Sequence, residues 1–133
     1  MGLSVNLACS AAGHAWLASM GEEDAAALVA RQGFGDPQDF GRHAPRNIKQ
    51  VMVYLRATRK RGFALIQDVF APGMGSIAAV VRPARGPVIG VVTLAGPLVR
   101  FTEERMLAAG PQLLETARQI GLASGSSAFF RRA

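Results

Sequence analysis

The sequence predicts a single α+β domain in which an antiparallel sheet packs against helices. Apolar residues recur at helical spacing through the first half of the chain, and short β-prone runs separated by turn residues follow. A last helical pattern then closes the order helix, helix, helix, strand, strand, strand, helix. The 133 residues, half of them hydrophobic, suffice for one buried core.

Three helices are predicted before the sheet, over about residues 10–20, 22–32 and 47–62. Ser10 and Asn47 are good N-cap residues because their side chains can accept hydrogen bonds from the first free amides of a helix. Gly33 can end the second helix in the left-handed conformation, and the third helix is expected to stop at Gly62. The second helix also has an acidic start, which suits the positive end of the helix dipole.

The strands are predicted over residues 63–67, 76–82 and 88–95, with residues 83–87 as the loop of a hairpin. The last two strands are apolar on both faces, so both faces are expected to be covered. The final helix is expected to begin after Thr102 and to run to about Ala123. Pro111 is expected to interrupt and kink that helix because it removes one helical hydrogen bond.

Charge and composition narrow the classes of function. The net charge is +6, and the only dense basic run is Arg59 to Arg61, with Arg56 one turn earlier. This run fits either a nucleic-acid contact or, more simply, a helix end complemented by cations. The one cysteine excludes a disulfide within the chain and suits the reducing cytoplasm. No apolar stretch is long enough to span a bilayer, so no membrane partner is expected.

The sequence contains few of the residue patterns that are typical of enzyme active sites. Neither His14 nor His43 has metal-ligand spacing to another histidine or cysteine, and the glycines match no phosphate or dinucleotide loop. A Cys9–His14 nucleophile pair is conceivable on spacing alone, although a small buried cysteine is the commoner case. We therefore expect no enzymatic activity, no metal and no cofactor.

A set of small and hydroxylated residues predicts instead a site for a small carboxylic acid. The segment Ser10-Ala11-Ala12-Gly13 opens a helix, where free amides can bind a carboxylate. Thr93 and Ala95 share one face of their strand, and Ser76 can offer a hydroxyl from the neighbouring strand beside the apolar Met74. Alternatively, Ser76 and Thr93 are ordinary strand residues bonded to the backbone.

Three segments together resemble the C-terminal effector-binding domain of the IclR family of bacterial transcription regulators. They are SAAGHAWLASM, ATRKRGFALIQDVFAPGMGSIAAVV and ARGPVIGVVTLAGPLVRFTEERM. They come in the family's order and spacing, and the resemblance covers the chain from Val5 to Ile120.

The resemblance implies a GAF/profilin-like antiparallel sheet flanked by helices. It also implies a homo-oligomer, a dimer or tetramer, that senses a small-molecule effector. Such a protein contacts DNA only through a separate helix-turn-helix domain, which this chain does not contain. The effector's acid group is expected at Ala11, Ala12, Ser76, Thr93 and Ala95, and apolar selectivity at Val5 and Met74.

Two departures from the family pattern matter. Ile66 stands where some members have an aspartate, and Ala95 replaces a frequent hydroxyl, so the expected effector is a larger or aromatic acid rather than a glyoxylate- or pyruvate-like one. The family's first sensor helix and N-terminal strands are also missing. The chain is therefore expected to be a partial effector-binding domain over residues 1–123 with a tail over 124–133. The alternative is an oligomerisation module that has lost effector binding.

Overall fold

The computed structural model describes residues 6–124 and confirms the α+β class. A single antiparallel sheet lies between two layers of helices. The helices are α1 (Ala11–Ala18), α2 (Glu22–Gln32), α3 (Ile48–Arg61) and α4 (Glu103–Ser124). The strands are β1 (Ala64–Gln67), β2 (Met74–Val81) and β3 (Gly90–Pro97). A short 3₁₀ turn, Leu7–Cys9, precedes α1.

Local capping explains where the helices begin and end. Ser10 Oγ accepts a hydrogen bond from the Gly13 amide at 3.0 Å, and Asn47 Oδ1 accepts one from the Gln50 amide at 2.9 Å. Gly62 ends α3 in the left-handed conformation, with φ of 98°. These caps confirm the predicted starts of α1 and α3 and the predicted end of α3.

The end of α2 corrects one detail. Gly33 has the expected positive φ of 85°, but its ψ of −174° lies outside the left-handed helical region. The chain therefore leaves α2 extended rather than in a left-handed cap. Glycine adopts this conformation readily because it has no Cβ.

The sheet has the order β1-β2-β3, and both pairs are antiparallel. Ile66 lies opposite Ser76, and Ser76 lies opposite Ala95, so these three residues form one row across the sheet. Because neighbouring residues in a strand point to opposite faces, this row and the next parallel one, with Ala78 and Thr93, share a face.

Two hydrophobic cores lie on the two faces of the sheet. The core that involves α1, α2 and α3 includes Leu17, Val29, Leu55 and Ile66, which are all fully or almost fully buried. The core beneath α4 includes Phe63, Leu65, Ile77, Ala79, Met106 and Leu113. The sheet is thus covered by helices on both faces along β1 and β2.

The prediction that both faces of the last strand are covered is wrong. Thr93, Leu94 and Ala95 of β3 are exposed, and Leu94 is 46% exposed. Within residues 6–124 no further strand pairs with the outer edge of β3, so the apolar strand forms the rim of the sheet. Hydrophobic composition alone does not distinguish a central strand from an edge strand.

The last helix has its predicted extent and differs from the prediction only at Pro111. It begins after Thr102, as expected, with Thr102 Oγ1 accepting a hydrogen bond from the Arg105 amide at 3.3 Å. It runs through Pro111 to Ser124 as one helix, so its extent agrees with the prediction while Pro111 does not interrupt it. Two glycines let it lie close to the sheet: Gly110 contacts the Phe63 ring, and Gly121 contacts the backbone of Arg82.

Candidate ligand-binding site

A cavity of about 270 Å³ lies between the start of α1 and the sheet. Three strands and the bend after β1 form its other walls. It is lined by Ser10, Ala11, Ala12, Ile66, Phe70, Met74, Gly75, Ser76, Thr93 and Ala95. The cavity is at or below the low end of the size range of drug-sized ligand sites, which is roughly 300–1,000 Å³. It can therefore enclose only a small molecule.

Six of the seven residues that were expected to bind an effector line this cavity, namely Ala11, Ala12, Met74, Ser76, Thr93 and Ala95. Val5 lies outside the described residues. Sequence reasoning missed Phe70 and Gly75. Phe70 is 54% exposed and lies in a bend after β1, where no periodic pattern indicates the direction of a side chain.

The start of α1 presents unused amides to this cavity. The Ser10 cap satisfies the amide of Gly13, while no hydrogen bond among the described residues uses the amides of Ala11 or Ala12. Gly13 lets the preceding turn approach α1 closely, since a Cβ there would lie 2.3 Å from the carbonyl oxygen of Leu7. The first amides of a helix attract negative charge through their unpaired N–H groups and the helix dipole.

The two strand hydroxyls are also available. Ser76 is buried and Thr93 is exposed, and neither side chain makes a hydrogen bond to another described residue. The alternative in which these hydroxyls bond to the backbone therefore has no support from the hydrogen bonds of residues 6–124. Both hydroxyls can donate to, or accept from, a molecule in the cavity.

The rest of the lining is apolar. Ile66 is 1% exposed and forms part of the floor in the same row as Ser76. No charged residue is among the lining residues. A bound anion would therefore rely on amides, hydroxyls and the helix dipole, and its apolar part would lie against Ile66, Phe70 and Met74.

The Cys9–His14 pair does not form a nucleophile and base. His14 Nε2 lies 2.7 Å from the carbonyl oxygen of Ala8, and His14 Nδ1 has no hydrogen-bond partner. Cys9 Sγ donates instead to the carbonyl oxygen of Phe34, at 3.8 Å. Burial raises the pKa of the Cys9 thiol, an effect that the charge of Arg46 partly offsets, and burial lowers the pKa of His14 to about 4. Neither group is activated for catalysis.

Most arginines of the basic run at the end of α3 make ion pairs or hydrogen bonds within the fold. Arg56 and Arg59 both bind the carboxylate of Glu22, with shortest distances of 3.0 and 3.2 Å. Arg61 Nη1 donates to the carbonyl oxygen of Phe63 at 2.8 Å. Hydrogen bonding from Arg56, together with the charges of both arginines, lowers the pKa of Glu22. These contacts favour the helix-end interpretation over a nucleic-acid surface.

Two further features of residues 6–124 concern metals and membranes. No group of three or more histidine, cysteine, aspartate or glutamate side chains is placed to hold a metal ion in this part of the chain. No helix there is both long and apolar enough to cross a membrane.

A small, largely apolar cavity with a few convergent polar groups, set between a helix start and a sheet, is typical of small-molecule-binding domains. The family model described as "Bacterial transcriptional regulator IclR C-terminal" matches residues 1–122. The chain therefore belongs to the IclR family and corresponds to its C-terminal domain.

A curated relative agrees with this assignment. The chain is 28% identical over 116 residues to the transcriptional repressor IclR of Escherichia coli K12, with 87% of this chain and 41% of the repressor covered. The chain thus spans less than half of that relative's length. The curated relatives that it matches are transcriptional repressors rather than enzymes.

Solved structures share the fold. The repressor BlcR of Agobacterium tumefaciens superposes with a TM-score of 0.77 at 20% identity, over 91% of this chain and 48% of BlcR. The inducer-binding domain of a double mutant of PobR from Acinetobacter, in complex with 3-hydroxybenzoic acid, gives a TM-score of 0.76 at 17% identity. That comparison covers 86% of this chain and 66% of the PobR domain.

Proposed function

We propose that this chain senses a small carboxylic acid as the effector-binding part of an IclR-type transcription regulator. The observation that carries the proposal is the convergence on one cavity of two unused helix-start amides and two unbonded hydroxyls. In this arrangement the amides of Ala11 and Ala12 receive the carboxylate, and Ser76 and Thr93 donate hydrogen bonds to it or to a neighbouring oxygen.

The apolar part of the lining favours an acid with a hydrophobic or aromatic body. Ile66 offers no partner to a ligand hydroxyl, and Phe70 and Met74 offer apolar contact. The 3-hydroxybenzoic acid complex of the PobR domain, a structural neighbour, is consistent with this class of ligand. Met74 is expected to set selectivity, and Val5 keeps the same expected role.

In the proposed regulator, effector binding alters DNA binding by a separate helix-turn-helix domain. The effector can do this only if it binds two conformations of the domain with different affinity. We further propose that the working unit is a homo-oligomer, a dimer or tetramer, in the cytoplasm. The exposed apolar edge of β3 supports self-association, because unpaired strand edges readily pair with other chains.

A thermal-shift scan of the purified chain against aliphatic and aromatic carboxylates tests the proposal. A ligand at about 100 times its dissociation constant stabilises a protein by about 2.7 kcal/mol, which moves the melting temperature visibly. We expect benzoate-like acids to give a saturable shift and glyoxylate and pyruvate to give little. A panel in which only the smallest keto-acids bind would contradict the proposed ligand class.

Paired variants make this test specific to the cavity. Ser76→Ala with Thr93→Val removes both cavity hydroxyls and is expected to abolish the shift. Thr116→Val removes a hydroxyl from a position that does not line the cavity, and is expected to retain the shift. A cooperative melt that no acid shifts would favour the alternative function, an oligomerisation module without effector binding.

A further inference from the structure

A second cavity, of about 250 Å³, lies at the opposite end of α1 from the effector cavity. It is formed by the last turns of α1 and α3 and by the second half of β2. Its lining residues are Ala15, Ala18, Ser19, Thr58, Arg59, Gly62, Phe63, Ala78, Ala79, Val80 and Arg82. The lining contains two arginines and no carboxylate.

Arg59 is held in a defined position at this cavity. Its Nε donates to the carbonyl oxygen of Ala18 at 3.1 Å, its Nη2 to that of Met20 at 3.0 Å, and its Nη1 to Glu22 at 3.2 Å. A guanidinium has five N–H donors, so two remain after these bonds. An arginine whose geometry is already fixed loses little conformational entropy when it binds an anion.

The local balance of charge is positive. Glu22 is shared between Arg56 and Arg59, so one carboxylate faces two guanidiniums. Arg82 adds a further cation, and its side chain makes no hydrogen bond or ion pair with any described residue. Arg59 of the basic run therefore contributes, with Arg82, to a concave site as well as to the end of α3.

Apart from Ser19 and Thr58, the remaining lining of the cavity is apolar, and most of its side chains are small. Ala15 of α1 and Ala78 of β2 are buried, and Val80 and Phe63 lie beside them. Such a surface can hold the hydrocarbon part of a ligand while the arginines bind its charge. A simple inorganic ion would contact the arginines but leave the apolar surface of the cavity unoccupied.

We infer that this cavity is a second binding site, for a small organic anion whose charged group contacts Arg59 and Arg82 and whose apolar part rests on Ala15, Ala18 and Val80. The site is separate from the effector cavity and does not depend on the function proposed for it. Because α1 contributes to both cavities, the two sites share one structural element.

The alanines that line the two cavities allow a direct test. In the full chain with ¹³C-labelled alanine methyl groups, phenyl phosphate is titrated and methyl shifts are followed by NMR. Saturable shifts are expected at Ala15, Ala18 and Ala78 of the second cavity. Shifts confined to the effector cavity, at Ala11, Ala12 and Ala95, would overturn the inference because the probe would then have bound only there.

Variants and a neutral probe test the role of charge. Arg82→Gln is expected to weaken binding at the second cavity by about fivefold, the scale of one exposed charge pair. Arg85→Gln removes an exposed arginine that does not line the cavity, and is expected to leave binding unchanged. Benzyl alcohol, which has the aromatic ring without the charge, is expected to bind more weakly. Equal binding of the two probes, or an Arg82→Gln variant with full affinity, would overturn the assignment.

Discussion

His14 on α1 and Ala8 in the preceding 3₁₀ turn are joined by a hydrogen bond of 2.7 Å between the imidazole Nε2 and the carbonyl oxygen. The imidazole is fully buried, and its ring centroid lies 5.0 Å from that of Tyr54 on α3. Since a carbonyl oxygen only accepts, Nε2 carries the proton and the bare Nδ1 is the unpaired atom. His14 thus ties three segments together while it is neutral.

This arrangement predicts a loss of stability in mild acid. Burial lowers the pKa of folded His14 to about 4, below its ordinary value of 6.5, so the unfolded chain binds a proton more readily. The free energy of unfolding should be constant above pH 6.5 with respect to this group, and should fall by about 3 kcal/mol as the pH drops toward 4. Urea denaturation at a series of pH values measures this slope.

A matched pair of variants assigns the slope to its source. His14→Gln retains a donor for Ala8 but cannot titrate, so it should flatten the pH dependence between pH 6.5 and 4. Asn47→Ala removes a helix cap but no titratable group, and should leave the slope as it is. Identical slopes in the wild type and His14→Gln would refute this explanation.

Gly13 is predicted to be essential for the start of α1. A methyl group at this position would lie 2.3 Å from the carbonyl oxygen of Leu7 and 2.6 Å from its Cα, so the backbone of the turn would have to move. We expect Gly13→Ala to lower the free energy of unfolding by about 1–3 kcal/mol, as overpacking usually does. The control is Gly90→Ala, where a Cβ meets nothing within 4 Å; equal effects of the two changes would show that the close approach is unimportant.

Ser10 is predicted to act on both stability and ligand binding, whereas Asn47 acts on stability alone. Each caps a helix, so Ser10→Ala and Asn47→Ala should each cost about 1 kcal/mol in denaturant unfolding. Under the proposed function, only Ser10→Ala should also weaken carboxylate binding, because Ser10 lines the effector cavity and orients its amides. Parallel thermal-shift titrations measure the difference, and equal loss of affinity in both variants would argue for a general effect of stability.

The thiol of Cys9 is predicted to be unreactive in the folded chain. It is completely buried, donates to the carbonyl oxygen of Phe34, and has a pKa raised by burial. Ellman's reagent should therefore label it only after unfolding, or at the rate of local opening. Arg46→Gln should raise this pKa further, since the charge of Arg46 lowers it. Rapid labelling of the native protein would contradict the buried position of Cys9.

Much of the fold was determined by local signals in the sequence. The starts of α1 and α3 follow from Ser10 and Asn47, and the end of α3 follows from Gly62, because caps and left-handed glycines act over a few residues. Turn residues between β-prone runs likewise predicted three strands in the observed order. The family resemblance, read from the order of three segments, indicated six of the residues that line the effector cavity.

Tertiary structure alone decided the features that depend on distant neighbours. It made β3 an exposed edge despite its apolar composition, brought Phe70 into the effector cavity, and set Arg59 and Arg82 around a second one. It also buried His14 beside Ala8 and Tyr54. Strand register, burial and the presence of polar groups without a hydrogen-bond partner result from packing between segments far apart in the chain. No local pattern of residues determines them.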